Sequence, residues 1–471
     1  MLTFDDTITA IATAPGAAGL AVVRVSGPRA LAVSDAIFQG AAPLAEAPGH
    51  TLHHGWALWP LEAVPEAGAP EAVTRRIDEV VAAVFRAPRS YTREDVVELS
   101  CHGGALPAQR VLAALLAAGA RLARPGEFTL RAFLAGRLDL AQAEAVADLI
   151  HAETERAREI AVSQLAGELS RRLESLSEGV ADALAEVEAR VDFAEDVGGI
   201  EVPQPVVDAI AAVEADLEAL LAGAAYARAV REGVRVPIVG RPNVGKSSLF
   251  NALLGEERAI VTATPGTTRD RVSEAIEIAG VRVTLSDTAG VRDTPEPVEA
   301  IGVEVTRRAM ASGAVVLWVV DGSEPLAADD RAIAAGLAGK RVLLVLNKSD
   351  RPAVVRGEEV EALLDGQWRR LVAVSARRGE GLEEVRAALA ELLDANPGAL
   401  AGAVGNPRHA EALGRARDAL GRSRAAAAAG MPGEIVALEL RESIAAIGEV
   451  TGRSLGDDLL ERIFSRFCVG K

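Results

Sequence analysis

Apolar residues follow successive textures along the chain. From residue 1 to about 122, short β-branched runs such as GLAVVRVSG and EVVAAVF stand between Pro and Gly turns, which predicts strands with a few helices and an α+β segment. From about 125 to 225 the punctuation nearly vanishes, and Leu169, Leu173, Leu176, Val180, Leu184, Val187 and Val191 recur at steps of three and four. That spacing predicts a long amphipathic helix in a bundle, its stripe used for core packing or for a dimer seam. At GVRVPIVGRPNVGKSSLFNALLG a buried-strand pattern gives way to a glycine loop and a helix. Strand and helix then alternate through VTLSDTAG, AVVLWVVDGS, VLLVLNKSD and LVAVSARRG to about 395, the signature of an α/β domain. Helical texture resumes from 400, and GRSRAAAAAGMPGE reads as a helix end with its loop. The reading is a multidomain α/β chain with an N-terminal domain over 1–122, a helical domain in two segments (123–230 and 396–471), and an α/β domain over 231–395 inserted between them.

Composition narrows the class. Length alone suggests about three domains, and 49% hydrophobic content suffices for packed cores. MLTFDDTITAIATAPG carries two aspartates where a secretory or mitochondrial leader would be positive, and no run of 18 apolar residues occurs, so a soluble, cytoplasmic protein is expected. Cys101 and Cys468 are the only cysteines, with no CxxC spacing, which excludes a disulfide framework and a zinc site of cysteines. With 50 basic against 67 acidic side chains the net charge is -17, so any nucleic-acid contact must be local.

The chemistry concentrates in the third texture. Gly240 to Ser247, GRPNVGKS, follows a predicted strand and precedes a helix. Its glycines let backbone NH groups of Gly240, Val244 and Gly245 surround phosphates, Lys246 reaches the β and γ oxygens, Ser247 offers a hydroxyl to magnesium, and Ser248 follows in the first helical turn. Asp287, Thr288, Ala289 and Gly290 form a DxxG box that supplies an acidic group to the magnesium shell and a glycine NH to the γ-phosphate. In NKSD, Asp350 accepts two hydrogen bonds from guanine while Asn347 and the Lys348 stem hold the ring. Ser375, Ala376 and Arg377 can present a backbone NH to the guanine carbonyl, and PGTTRD lies where a mobile switch places a magnesium-binding threonine. The boxes, in order and at sensible spacing, imply a GTPase.

The catalytic water is less plainly served. Ras-type enzymes orient it with a glutamine directly after the DxxG glycine. Here that position is Val291, which cannot, so the carboxylates Asp293, Glu296 and Glu299 are candidates. No arginine finger is assignable, and a cation or partner must supply positive charge to the transition state. Asn243, inside the phosphate loop, offers a neutral oxygen to a monovalent ion.

With these boxes in hand, the whole chain resembles the MnmE (TrmE) family of tRNA modification GTPases. The match runs from DTITAIATAPG and VVRVSG through EDVVELSCHGG, ARPGEFTLRAFLAGRLDLAQAEAVADLI and GRPNVGKSSLFNALL to the closing FCVGK. RPGEFTLRAF and the terminal Cys-x-Gly-Lys carry more of the resemblance than the GTPase boxes, which many translation factors share. The resemblance implies an N-terminal folate-binding domain, a helical domain of two segments and an inserted P-loop, Ras-like G domain. It also implies a homodimer through the N-terminal domain and a heterotetramer with the flavoprotein MnmG. That complex adds an aminomethyl or carboxymethylaminomethyl group to carbon 5 of the tRNA wobble uridine, using methylenetetrahydrofolate and glycine or ammonium, with FAD on the partner.

Carried over residue by residue, the family's potassium ligands fall on Asn243, Thr262, Thr264 and Thr267, and its magnesium ligands on Ser247 and Thr268. Paired G domains bridged by potassium replace the arginine finger, Glu299 takes the catalytic glutamate's place, and Arg292 the switch arginine's. The tetrahydrofolate derivative, in its 5-formyl or methylene form, would meet Arg24, Glu98, Arg137 and Lys471. Cys468 would then lie beside the reacting region, as a nucleophile or as a residue that fixes the last helix. The competing reading is a ribosome-assembly GTPase, but such proteins append an RNA-binding domain to the G domain. After SARRGEGLEEV only helical, acidic sequence follows.

Overall fold

The computed structural model describes residues 5–60, 76–192, 201–255, 273–287, 315–364, 368–393, 403–453, 457–465 and 467–471. It divides into two compact units, one of Met1–Ala147, Gln164–Arg171 and Ile447–Lys471, the other of Asp148–Ser163 and Arg172–Ala446.

The first unit is built on a seven-stranded sheet. Its strands are β1 (Ile8–Ile11), β2 (Leu20–Ser26), β3 (Phe38–Gly40), β4 (Thr51–Leu58), β5 (Arg76–Phe85), β6 (Val96–His102) and β7 (Arg121–Leu122), in the order β3-β4-β5-β6-β2-β1-β7. All described pairings are antiparallel except β1 with β7. Period-two alternation sends Ala21, Val23 and Val25 of β2, with Val97, Leu99 and Cys101 of β6, into one core. That core is closed by α1 (Ala30–Asp35) and α2 (Ala105–Ala117). The alternate positions, among them Val22, Arg24, Glu98 and Ser100, belong to the other face, where Leu20 and Leu52 are exposed at 64% and 73%. The short helix α3 (Glu127–Leu134) and then α4 (Leu140–His151) follow. Leu460 and Phe464 of the C-terminal helix α15 (Asp457–Phe464), with Phe467 after it, pack against Leu130, Phe133, Leu140 and Ala143.

The second unit centres on a six-stranded sheet. It comprises β8 (Val234–Val239), β9 (Ser273–Ile278), β10 (Val281–Asp287), β11 (Val315–Asp321), β12 (Arg341–Asn347) and β13 (Trp368–Val374), in the order β13-β12-β11-β8-β10-β9. Pairings are parallel except for the β9–β10 hairpin. Every residue of β11, VVLWVVD, is buried, as expected of a parallel strand covered on both faces. One face packs on α9 (Lys246–Gly255) and α12 (Leu382–Leu392), the other on α10 (Ala328–Gly336) and the segment around α11 (Gly357–Glu361).

Helices flank this sheet in sequence. They include α5 (Glu155–Leu165), α6 (Glu168–Asp192), α7 (Gln204–Ala222), α8 (Ala224–Glu232), α13 (Pro407–Ala428) and α14 (Gly433–Thr451). The predicted stripe on α6 is core: Leu169, Leu173, Leu176, Val180 and Val187 are buried, Leu184 and Val191 half-buried. Asn406 caps α13 by accepting from the Arg408 amide, with Pro407 at the first helical position, and the helix ends in the alanine run before Gly430. α7 packs along α13, with Arg424 paired to Glu214 at 2.9 Å.

Helical elements of this unit also hold the β9–β10 turn. Thr154 donates its hydroxyl to the Gly280 carbonyl at 2.9 Å, Tyr226 donates to the Ala279 carbonyl at 2.7 Å, and Arg282 pairs with Glu153 at 2.8 Å. Ala279 and Gly280 both have positive φ (50° and 81°), as a tight two-residue hairpin turn requires.

Candidate functional site

Two clusters carry candidate chemistry, one in each unit. In the second, β8 runs between β10 and β11, so chain connections diverge on either side of it and leave a crevice at its C-terminal end. The phosphate loop starts there. Gly240 has φ +152°, and a Cβ on it would lie 2.3 Å from the Val319 carbonyl oxygen, while Gly245 has φ +96° and a Cβ would lie 2.2 Å from Asn347 Nδ2. Neither position admits another residue, and the backbone NH groups are thereby free to curl around an anion. Lys246 opens α9, buried, and its Nζ donates to the carbonyls of Gly240 and Arg241, both at 2.8 Å. Val244 is buried beneath the loop, whereas Asn243 (φ +65°), Ser247 and Ser248 are exposed along its outer edge. The backbone of Asp287, the last residue of β10, stands opposite Ile238 of β8, two residues before the phosphate loop begins.

The base-recognition loops converge on the same crevice. Asn347, at the end of β12, donates from Nδ2 to the Val244 carbonyl at 2.8 Å and accepts at Oδ1 from the Ala376 amide at 3.1 Å. One buried side chain thus ties the phosphate loop to both base loops. Of the backbone NH groups of Ser375, Ala376 and Arg377, one of which was expected to face the guanine carbonyl, that of Ala376 is engaged by Asn347 in this structure. Ser375 donates its hydroxyl to Asp350 Oδ1 at 2.8 Å, and that hydrogen bond holds the Asp350 carboxyl below its ordinary pKa. The group is ionised and presents acceptors, as guanine recognition needs. Arg377 is exposed. Lys348, at φ +67°, pairs through Nζ with Asp321 Oδ2 at 2.5 Å. Burial raises the Asp321 pKa, but Lys348 and Ser323 outweigh it and leave it lowered.

In the first unit, Arg24 of β2 and Glu98 of β6 stand opposite each other in register. Arg24 Nε donates to Glu98 Oε1 at 2.8 Å, and its second terminal nitrogen lies 2.7 Å from the same oxygen. Arg24 also donates to the Gly470 carbonyl at 3.4 Å, so the chain end meets the sheet here. Gly470 has φ +98°, and a Cβ there would lie 2.5 Å from the Ile11 carbonyl oxygen. Lys471 is half-buried. Desolvation first, then the nearby Arg24 charge, push its pKa below the ordinary lysine value. Arg137 is exposed and donates to the Tyr91 carbonyl at 3.0 Å. Cys468 is exposed and its carbonyl accepts from the Gly126 amide, whereas Cys101 is buried, which pushes its thiol up to about 11. The structure therefore brings Arg24, Glu98 and the Gly470–Lys471 end together directly, and Arg137 joins them through Tyr91.

Thr262, Thr264, Thr267, Thr268, Thr288, Ala289, Gly290, Arg292, Asp293, Glu296 and Glu299 lie outside the described residues, as does the side chain of Asp287. Two residues that the sequence reading passed over sit inside the clusters. Asp321 holds the Lys348 ammonium, and its sequence signal was a carboxylate closing the all-apolar run VVLWVV. Tyr91, one of two tyrosines, touches both Arg24 and Arg137. No spacing rule ties residue 91 to 24 or 137.

The α+β unit, the helices and the parallel sheet with its phosphate loop define a multidomain protein carrying a P-loop, Ras-like G domain. Family models match it in two stretches, the GTP-binding protein TrmE N-terminus over residues 7–137 and the MnmE helical domain over 140–468. The tRNA modification GTPases MnmE of Chloroflexus aurantiacus and Symbiobacterium thermophilum are each 45% identical to it, over 99% of this chain and 100% of theirs. Among solved structures, the G domain of the T. maritima FeoB iron transporter matches 34% of this chain and 98% of its own at 26% identity, with a TM-score of 0.25. The chain belongs to the MnmE family of tRNA modification GTPases.

Proposed function

We propose that this chain is the GTP-hydrolysing component of a tRNA modification complex which, with the flavoprotein MnmG, adds a carboxymethylaminomethyl or aminomethyl group to carbon 5 of the wobble uridine. The observation that carries the reading is the meeting of Arg24, Glu98 and the Gly470–Lys471 end in one cluster, in a chain similar to MnmE proteins along its whole length. A nucleotide switch alone has no use for such a cluster.

In this reading GTP lies along the phosphate loop and is selected by Asp350. Magnesium is held by Ser247 and Thr268, and potassium by Asn243, Thr262, Thr264 and Thr267. The exposed Ser247 hydroxyl and the outward Asn243 amide suit cations at the loop's rim, and Lys246 exchanges its two carbonyl partners for phosphate oxygens. Glu299 positions the water and Arg292 supports the switch. A tetrahydrofolate derivative lies against Arg24, Glu98, Arg137 and Lys471. The glycine turn at 470 and the guanidinium on Glu98 suit a flat, hydrogen-bonding pterin with an anionic tail. When bound, the folate supplies the one-carbon unit, and FAD stays on the partner.

The homodimer of this reading uses the open sheet face on which Leu20 and Leu52 are exposed. Among the described residues no helix is long and apolar enough to cross a membrane. The test is mass spectrometry of tRNA nucleosides from cells lacking this chain. Loss of the wobble-uridine modification, restored by the intact chain but not by one truncated before Cys468, is expected. An unchanged nucleoside profile would overturn the reading and favour a ribosome-assembly GTPase.

A further inference from the structure

We propose that Tyr91 is the positioning residue of the N-terminal site, a single aromatic ring that sets the spacing of two guanidinium groups. The inference rests on the folate reading above for its ligand, but not for its geometry. The Tyr91 ring centroid lies 5.4 Å from the Arg24 guanidinium carbon and 4.8 Å from that of Arg137. The Phe128 ring lies 5.5 Å from Arg24, so one arginine is bracketed by two aromatic rings. Each contact lies within the range where the ring's negative face attracts a cation.

The ring is itself held at three points. Its hydroxyl meets the Thr129 hydroxyl at 2.9 Å, its carbonyl accepts from Arg137 at 3.0 Å, and the ring packs on the buried cluster of Ile8, Ala10, Ala123 and Phe128. A half-buried tyrosine with its phenol tied and its ring packed on a buried cluster has little rotamer freedom left. Arg24 is also fixed by Glu98 and the Gly470 carbonyl, whereas Arg137 is exposed and rests on the Tyr91 carbonyl and the Tyr91 ring. Two like charges on one ring would drift apart in water. The attraction of one ring for both cations offsets that repulsion and keeps the two guanidinium groups at one site.

The experiment compares Tyr91→Phe with Tyr91→Leu in the full-length protein, using 5-formyltetrahydrofolate as probe in titration calorimetry. In parallel, side-chain NMR of labelled arginine reads the ring-current shifts of Arg24 and Arg137 without ligand. The expected result is a loss of affinity of about tenfold or more in Tyr91→Leu, near wild-type affinity in Tyr91→Phe, and an Arg137 ring-current shift lost, with that of Arg24 reduced, only in the leucine variant. In an Arg137→Gln background the leucine substitution should cost less affinity than alone, which a general loss of folding would not produce. Equal affinity in Tyr91→Leu and wild type, or unchanged arginine shifts, would overturn the inference. If the wild type fails to bind the probe while the leucine variant still loses the arginine shifts, the positioning role stands and the folate reading falls.

Discussion

At Glu127, burial and hydrogen bonding pull in opposite directions. The side chain is 2% exposed, as is that of Arg131, 3.1 Å away. Burial alone raises the carboxyl pKa, but Arg121, the Arg124 amide and Arg131 all donate to it, and together they bring it below the ordinary value. Arg131 in turn reaches Asp6 and Glu94, so one buried guanidinium ties the first strand's entry, the loop before β6 and α3. A depressed folded pKa contributes stability that is complete above the unfolded value of about 4.3 and is lost as pH falls through the folded one. Glu127→Gln should therefore destabilise the N-terminal unit by about 3 kcal/mol at neutral pH and flatten its acid unfolding below about pH 4. Thermal denaturation across pH, followed in that unit, checks both. At this scale sequence was uneven evidence. The phosphate loop was readable because only glycine permits the φ values at Gly240 and Gly245, whereas the Glu127–Arg131 pair was not singled out despite its helical i,i+4 spacing. Tyr91 and Asp321 were invisible as site residues, because each works through a partner brought to it by sheet register or by packing.

The β9–β10 hairpin shows what an element can do that its residues cannot do singly. In the sequence four residues separate the end of TATPGTT from its first residue, Ser273, and its last residue, Asp287, opens the DTAG box, so both candidate switch segments are joined to its open end. Its closed end is held by Thr154 from the start of α5 and by Tyr226 of α8. A rigid two-stranded lever fixed at its turn is a means of passing a change at the nucleotide to helices. Removing both hydroxyls, in Thr154→Val with Tyr226→Phe, should cost about 2 kcal/mol in local stability, at about 1 kcal/mol for each hydrogen bond. The expected outcome is faster amide exchange in β9 and β10 with GTP hydrolysis kept and tRNA modification reduced. Unaltered modification with fast exchange would deny the hairpin any coupling role. The second strand was legible from VTLSDTAG, but the first, SEAIEI, was not read, and neither was the grip on the turn, since it joins segments far apart in the chain.

For the whole molecule, the absence of an assignable arginine finger in the sequence directs attention to ions and to a second copy. Replacing potassium by sodium at constant ionic strength should suppress both G-domain pairing and GTP hydrolysis, read by light scattering with a transition-state analogue and by phosphate release. Equal rates in both salts would remove potassium from the mechanism. With a net charge of -17, tRNA binding has no general field to help it, so it should rely on a local patch or on the partner. The two-segment helical texture on either side of the G domain was legible at this scale, because a change from period 3.6 to buried strands and back survives any uncertainty at single positions. The meeting of the chain end with Arg24 was not readable from pattern and came only from resemblance.

The hydrogen bond from Asn347 to the phosphate loop also constrains how such a chain can vary over generations. Any side chain at position 245 would collide with the Asn347 amide, and any change at 347 would leave the Val244 carbonyl and the Ala376 amide without that partner. With φ +96° at position 245 a smaller residue at 347 would relieve the clash but not the backbone, so glycine and asparagine hold each other in place.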